Sequence, residues 1–147
     1  MPYAQGTTVP VESSRGEISG ILAKHGVVVM MWGTKPDGDY LQFELAGHVF
    51  RLEIKRPTAK SLHERWKVEG KSAQALKYLP NDGQVAAEWR RRWRATVLLL
   101  KAKLEFADGE TSTIEQELMP YLLLRDGTTL GAAIAESKVP LLAAGGN

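Results

Sequence analysis

Six consecutive residues, Trp89-Arg90-Arg91-Arg92-Trp93-Arg94, carry side chains suited to holding a polyanion. Guanidinium groups grip phosphate oxygens through charge-assisted hydrogen bonds, and an indole presents a flat face on which an unpaired base stacks. More cations lie upstream, at Lys55, Arg56, Lys60, Arg65 and Lys67, with Trp66 among them. Lys55, Arg56, Lys60, Arg65, Lys67, Arg90, Arg91 and Arg94 therefore form a candidate phosphate-contacting set, and Trp66 or Trp89 a candidate stacking residue. Part of this pattern has a plainer account. Trp89 and Trp93 stand four residues apart and continue an apolar helix face, which suits core anchors, with the arginines as a solvated rim.

A second group is acidic: Glu105, Asp108, Glu110, Glu115 and Glu117. Two or three convergent carboxylates hold a divalent metal for phosphoryl chemistry. The same residues also suit a helix start, where carboxylates are favoured, and a turn. His25, His48 and His63 are not at metal-ligand spacing. Gly70-Lys71-Ser72 imitates the end of a P-loop, but the earlier glycine would fall at Arg65 and no buried strand precedes it. No serine sits in a nucleophile elbow. The expectation is a protein without a cofactor and without catalysis, with a metal-dependent nuclease as an alternative.

The chain has 147 residues and a net charge of +2, unevenly spread. Residues 1–54 carry 4 basic and 6 acidic groups, residues 55–103 carry 13 and 4, and residues 104–147 carry 2 and 7. A middle of +9 between acidic ends steers an anionic partner, unless the ends fold over and neutralise it. There are no cysteines, which excludes disulfides and thiolate chemistry and fits a reducing cytoplasm. No signal-like segment and no long apolar run occurs, so neither secretion nor a membrane span is expected.

The elements that must position these residues read as one α+β domain over 1–147. Glu88 to Phe106 is the central helix, rich in strong helix formers and free of Gly and Pro. Trp89, Trp93, Thr96, Val97, Leu100 and Leu104 share one arc, and Ala95, Leu98, Leu99, Ala102 and Phe106 a second, so packing on both sides is expected. An extended arm is expected over 1–12. A helix then follows a Ser14–Glu17 capping box and ends at Gly26. Val27 to Trp32 reads as a strand buried on both faces. Asp39 to Leu45 and Val49 to Lys55 alternate, which completes a three-stranded antiparallel meander. Residues 56–86 read as a basic connector, with short helices possible near Ala59–Trp66 or Ser72–Tyr78. A second capping box at Ser112–Glu115 starts a helix that Pro120 interrupts, Thr128 or Thr129 caps a last helix, and 138–147 form a loose tail. The expected core is Ile18, Leu22, Val29, Leu41, Phe43, Phe50, Leu52, Ile54, Trp93, Val97, Leu100 and Leu104.

The opening MPYAQGTTVPVESSRGEISGILAKHG, the stretch RWRATVLLLKAKLEF and the later TSTIEQELMPYLLLRDGTTLG resemble a group of small phage and prophage proteins. The same order of N-terminal helix, sheet, Arg-Trp-Arg helix and Asp-Gly tail recurs there. The resemblance implies a mobile-element context and action in the cytoplasm of a bacterial host; it carries over no catalytic residue. The functional expectation is a nucleic-acid-binding accessory protein, independent of sequence, acting in DNA replication, recombination or handling. Its partner would be single- or double-stranded DNA, with homo-oligomerisation possible. A protein-binding inhibitor or modulator of a host defence complex is the alternative.

Overall fold

The computed structural model describes residues 8–145, as a three-stranded antiparallel sheet and a set of helices around one core. The first helix, α1 (Val11–Lys24), begins directly after Pro10 rather than at the Ser14 capping box. Pro10 sits in the extended region, and its carbonyl accepts from the N–H groups of Ser13 and Ser14 at 3.1 and 3.2 Å. The fixed φ of proline sets the direction of the chain there without any side-chain cap. Ser14 is consequently one turn inside the helix and fully buried. Glu17 does not reach back to it, but pairs with Arg94 at 2.8 Å. Of the expected arm, residues 11–12 are helical and residues 1–7 lie outside the described residues.

Gly26 ends α1 as expected, at φ 94°. Its N–H donates to Ala23 O at 3.1 Å and that of Val27 to Leu22 O at 3.0 Å, the paired bonds of a Schellman motif. Val27 is thereby carried into the core, 4% exposed. The chain must then cross to the sheet, and the strand expected at Val27–Trp32 forms three residues later as β1 (Met30–Lys35). Val28 is 93% and Val29 51% exposed, so the doubly buried strand and the place of Val29 in the core are both corrected. An edge strand of a sheet covered on one face cannot bury a continuous apolar run, because successive side chains point to opposite faces.

Strands β2 (Gly38–Leu45) and β3 (His48–Lys55) complete the sheet in the order β1-β2-β3. Phe43 stands opposite Phe50, their rings stacked at 5.5 Å. Leu41, Phe43, Phe50, Leu52 and Ile54 form the inner face. The basic connector is largely helical: α2 (Ala59–Val68) and α3 (Ala73–Leu76) occupy it, and α4 (Asp82–Ala107) begins inside it. The central helix therefore starts six residues before Glu88. Its signal is a reciprocal cap, Asn81 Oδ1 accepting from Gln84 N–H and Gln84 Oε1 from Asn81 N–H, each at 2.9 Å.

Trp93, Val97, Leu100 and Leu104 of α4 are buried against the sheet and against Ile18 and Leu22 of α1. The two helices run in the same direction, since Glu17 meets Arg94 and His25 meets Asp108. The second apolar arc of α4 is covered only in part. Leu99 packs against the core, while Ala102 is exposed and Phe106 is 51% exposed, because α1 and the meander already occupy the other sides.

Helix α5 (Ile114–Leu118) is capped one residue later than expected, by Thr113 and Gln116; Ser112 instead donates to Glu117 at 2.6 Å. Pro120 falls in a 3₁₀ turn, Met119–Tyr121. Leu123 N–H then donates to Val49 O at 2.9 Å, which covers part of the outer edge of β3. Thr129 caps α6 (Leu130–Ala135). Residues 138–145 have no helix or strand, and 146–147 lie outside the described residues. Every expected core residue apart from Val29 is buried. Among the described residues, no helix is long and apolar enough to cross a membrane.

A Cβ on Gly38 would lie 2.3 Å from the backbone oxygen of Ile54, an approach only a glycine permits. Gly38→Ala should therefore cost about 1–3 kcal/mol by separating β2 from β3, read as a lowered urea midpoint with an unchanged slope.

Candidate nucleic-acid interface

The basic stretch is organised around an acidic residue. Glu88, in the second turn of α4, is 5% exposed. Its Oε1 accepts from Arg91 Nε at 2.6 Å and Arg65 Nη2 at 3.2 Å. Its Oε2 accepts from Arg92 Nε at 2.9 Å, Arg91 Nη2 at 3.0 Å and Arg65 Nη1. Arg91 and Arg92 reach it because they lie three and four residues on, along the same helix. Arg65 comes from α2 and also pairs with Glu69 at 2.9 Å. Arg92 Nη1 donates to Lys55 O at 2.6 Å, which ties α4 to the end of β3. Burial alone would raise the Glu88 pKa, but hydrogen bonds from Arg91, Arg65 and Arg92 outweigh it and hold the value at about 2. The bond to Glu88 in turn raises Arg91 above its ordinary value.

The candidate residues fall into three groups. Arg65, Trp66 and Arg91 are brought together, lining one cleft between α2 and α4. Arg56, Trp89 and Arg94 are engaged elsewhere. Arg56 pairs with the buried Asp39 at 3.2 Å, and its guanidinium lies 5.2 Å from the centroid of the Trp89 ring. Trp89 meets Trp93 edge-on at 5.8 Å and packs against the core. A base could not lie on the ring face that Arg56 covers, so the anchor account of Trp89 fits its surroundings. Arg94 is held on the α1 side by Glu17. The third group lies on the outside. Lys55, Lys60 and Lys67 are exposed, with Lys67 3.4 Å from Glu64. Arg90 is half-buried, its Nε without a hydrogen-bond partner among the described residues.

The cleft has a volume of about 620 Å³. Arg65 and Trp66 of α2, Glu69 just after its end, Lys71 of the following loop, and Gln84 and Arg91 of α4 line it. Lys71 counts in the sequence among the cations of the basic connector and as part of a rejected P-loop, but not in the phosphate-contacting set. Its loop is in fact the turn that closes α2, with Lys71 N–H donating to Trp66 O at 3.1 Å. Sequence reasoning also passed over Glu88, although a carboxylate followed by arginines at i+3 and i+4 is a readable ion-pair spacing. Beyond the cleft, Lys77 lies 5.5 Å from the ring of Tyr78, which is 70% exposed.

The acidic group does not converge. Asp108 pairs with His25 at 2.8 Å, Glu115 lies 3.4 Å from His48, and Glu117 accepts from Ser112. Among the described residues, no three His, Asp or Glu side chains stand close enough to hold a metal ion.

Removing the Glu88 charge would leave three guanidiniums packed together without their counter-ion. Glu88→Gln should cost about 3–5 kcal/mol in equilibrium unfolding. The depressed pKa also sets a pH dependence. The stabilisation is fully present above the ordinary carboxylate value of 4.5 and is lost as pH falls toward about 2. The wild type should therefore lose stability steeply through that window, and Glu88→Gln less steeply, in urea titrations at fixed acid pH.

With this geometry in place, the comparisons add no relative. No protein-family model matches the chain, no curated protein matches it significantly, and neither does any solved structure.

Proposed function

We propose that the protein binds nucleic acid without sequence preference, as an accessory factor in DNA replication, recombination or handling, in the mobile-element context that the resemblance implies. The observation that supports this most directly is the surface of the α2–α3 lobe. Lys60, Lys67, Lys71 and Lys77 are all exposed there, beside Tyr78 and the half-buried Trp66. Lys60 and Lys71 make no ion pair among the described residues. Arg65 and Arg91 sit behind them with their orientation fixed by Glu88. Phosphate contact then falls mainly to lysines, because Arg56, Arg92 and Arg94 are engaged in holding the fold. Lysine ammonium groups act as mobile point charges, which suits a backbone of any sequence.

A second reading, a protein-binding modulator of a host complex, draws on the uncovered strip of α4 around Phe106. The two readings place the partner on different surfaces.

Fluorescence anisotropy of labelled DNA at several salt concentrations tests the first. Four phosphate contacts predict a log–log salt slope of about −3 to −4. Converting Lys60, Lys71 and Lys77 together to Glu should abolish binding while circular dichroism and the thermal midpoint are retained, since none supports the core. Absence of binding at low salt would overturn the reading and move attention to Phe106, where Phe106→Asp is the corresponding variant.

A further inference from the structure

We infer that the cleft between α2 and α4 takes a single unpaired nucleotide, so that the protein prefers single-stranded to duplex nucleic acid. This rests on the nucleic-acid reading above and specifies its ligand. Size is the first argument. The cleft, at about 620 Å³, lies within the range of about 300–1,000 Å³ typical of sites for drug-sized molecules. One nucleotide fits that range. A phosphate ion would leave most of it empty, and a duplex is too wide to enter.

The lining supplies the second argument. Trp66 offers an indole at the wall, and a base–indole stack is sequence-tolerant because every base has a π-face. Arg91 spends Nε and Nη2 on Glu88, and its Nη1 has no partner among the described residues. Gln84 commits its side-chain oxygen to the Asn81 N–H, which leaves its amide N–H groups free to donate. Lys71 adds a mobile cation at the rim. These donors surround one aromatic wall, the arrangement a nucleotide needs for its base and its phosphate together.

Charge supplies the third. Arg65, Arg91 and Lys71 share the lining of the cleft with Glu69 and Glu88, leaving a net charge of +1. That balance suits one phosphodiester and opposes a run of phosphates, so the neighbouring phosphates would fall to the lysines outside. A paired base has both faces covered by the stack, and it reaches such a cleft only if flipped out of the duplex. An unpaired strand meets no such barrier.

Intrinsic tryptophan fluorescence, titrated with short oligothymidylate or with a blunt duplex of equal length, reads this out alongside anisotropy. The wild type should bind the single strand at least about fivefold more tightly than the duplex, with quenching by the single strand. Trp66→Ala should remove most of that quenching and bring single-strand affinity down to the duplex level. Trp66→Phe should recover the affinity without the quenching. Lys71→Ala, at an exposed loop position, should also weaken single-strand binding and guards against a folding defect at Trp66. Equal affinity for both forms, with quenching intact in Trp66→Ala, would overturn the cleft assignment while leaving the nucleic-acid reading standing. No anisotropy change with either form would overturn both.

Discussion

A carboxylate taken out of water inside a small domain must be matched by cations, and Glu88 is matched by three. The rest of the basic region follows from that requirement. Arg65 draws α2 onto α4, and Arg92 reaches past Glu88 to the last carbonyl of β3. The desolvation of an ion pair consumes much of its attraction, so the cluster contributes geometry as much as stability. It fixes where α2 lies along α4, and so fixes the walls of the cleft. The arginines that look most available in the sequence are the ones the fold holds most firmly.

This divides the positive charge into two classes. Arg56, Arg65, Arg91, Arg92 and Arg94 face carboxylates from other elements or from their own helix. Their planar forks suit such fixed contacts. The lysines of the α2–α3 lobe are left to the solvent. Net charge counted along the sequence does not distinguish the classes, because the residues that neutralise Arg94 and Arg56, Glu17 and Asp39, lie in the N-terminal acidic segment. The acidic end does fold against the basic middle, at Arg56 and Arg94, without covering the lobe.

Much of the architecture was legible in the sequence. The meander could be read from the period-two alternation in Asp39 to Leu45 and Val49 to Lys55, and the buried face of α4 from Trp93, Val97, Leu100 and Leu104. The stop of the first helix was written in Gly26. The errors arose where local signals competed. Ser14 and Glu17 satisfy the capping-box pattern, but Pro10 had already set the helix in motion and tertiary packing claimed both side chains. Val27 to Trp32 has strand composition throughout, yet its first residue belongs to the helix C-terminus and the next two lie in the open. The start of α4 was hidden because Asp82-Gly83 resembles a turn. At the site, the residue types were readable and their partners were not. Spacing reports Glu88 with Arg91 and Arg92, but Arg65 arrives from another helix. The cleft exists only because α2 folds back onto α4.

The parallel placement of α1 and α4 bears on how the chain assembles. The meander is built from neighbouring strands and forms from local contacts. Helix α1 is synthesised before it but docks on a helix that follows it, with Glu17 meeting Arg94 across more than half of the sequence. Contacts of such separation close large loops and slow folding. On the ribosome, Ile18, Leu22 and the inner aromatic face of the sheet must wait for Trp93 and Leu104 to emerge before their shared core can close. Until then the nascent chain displays its most apolar surface, and the folding step that removes it waits for α4.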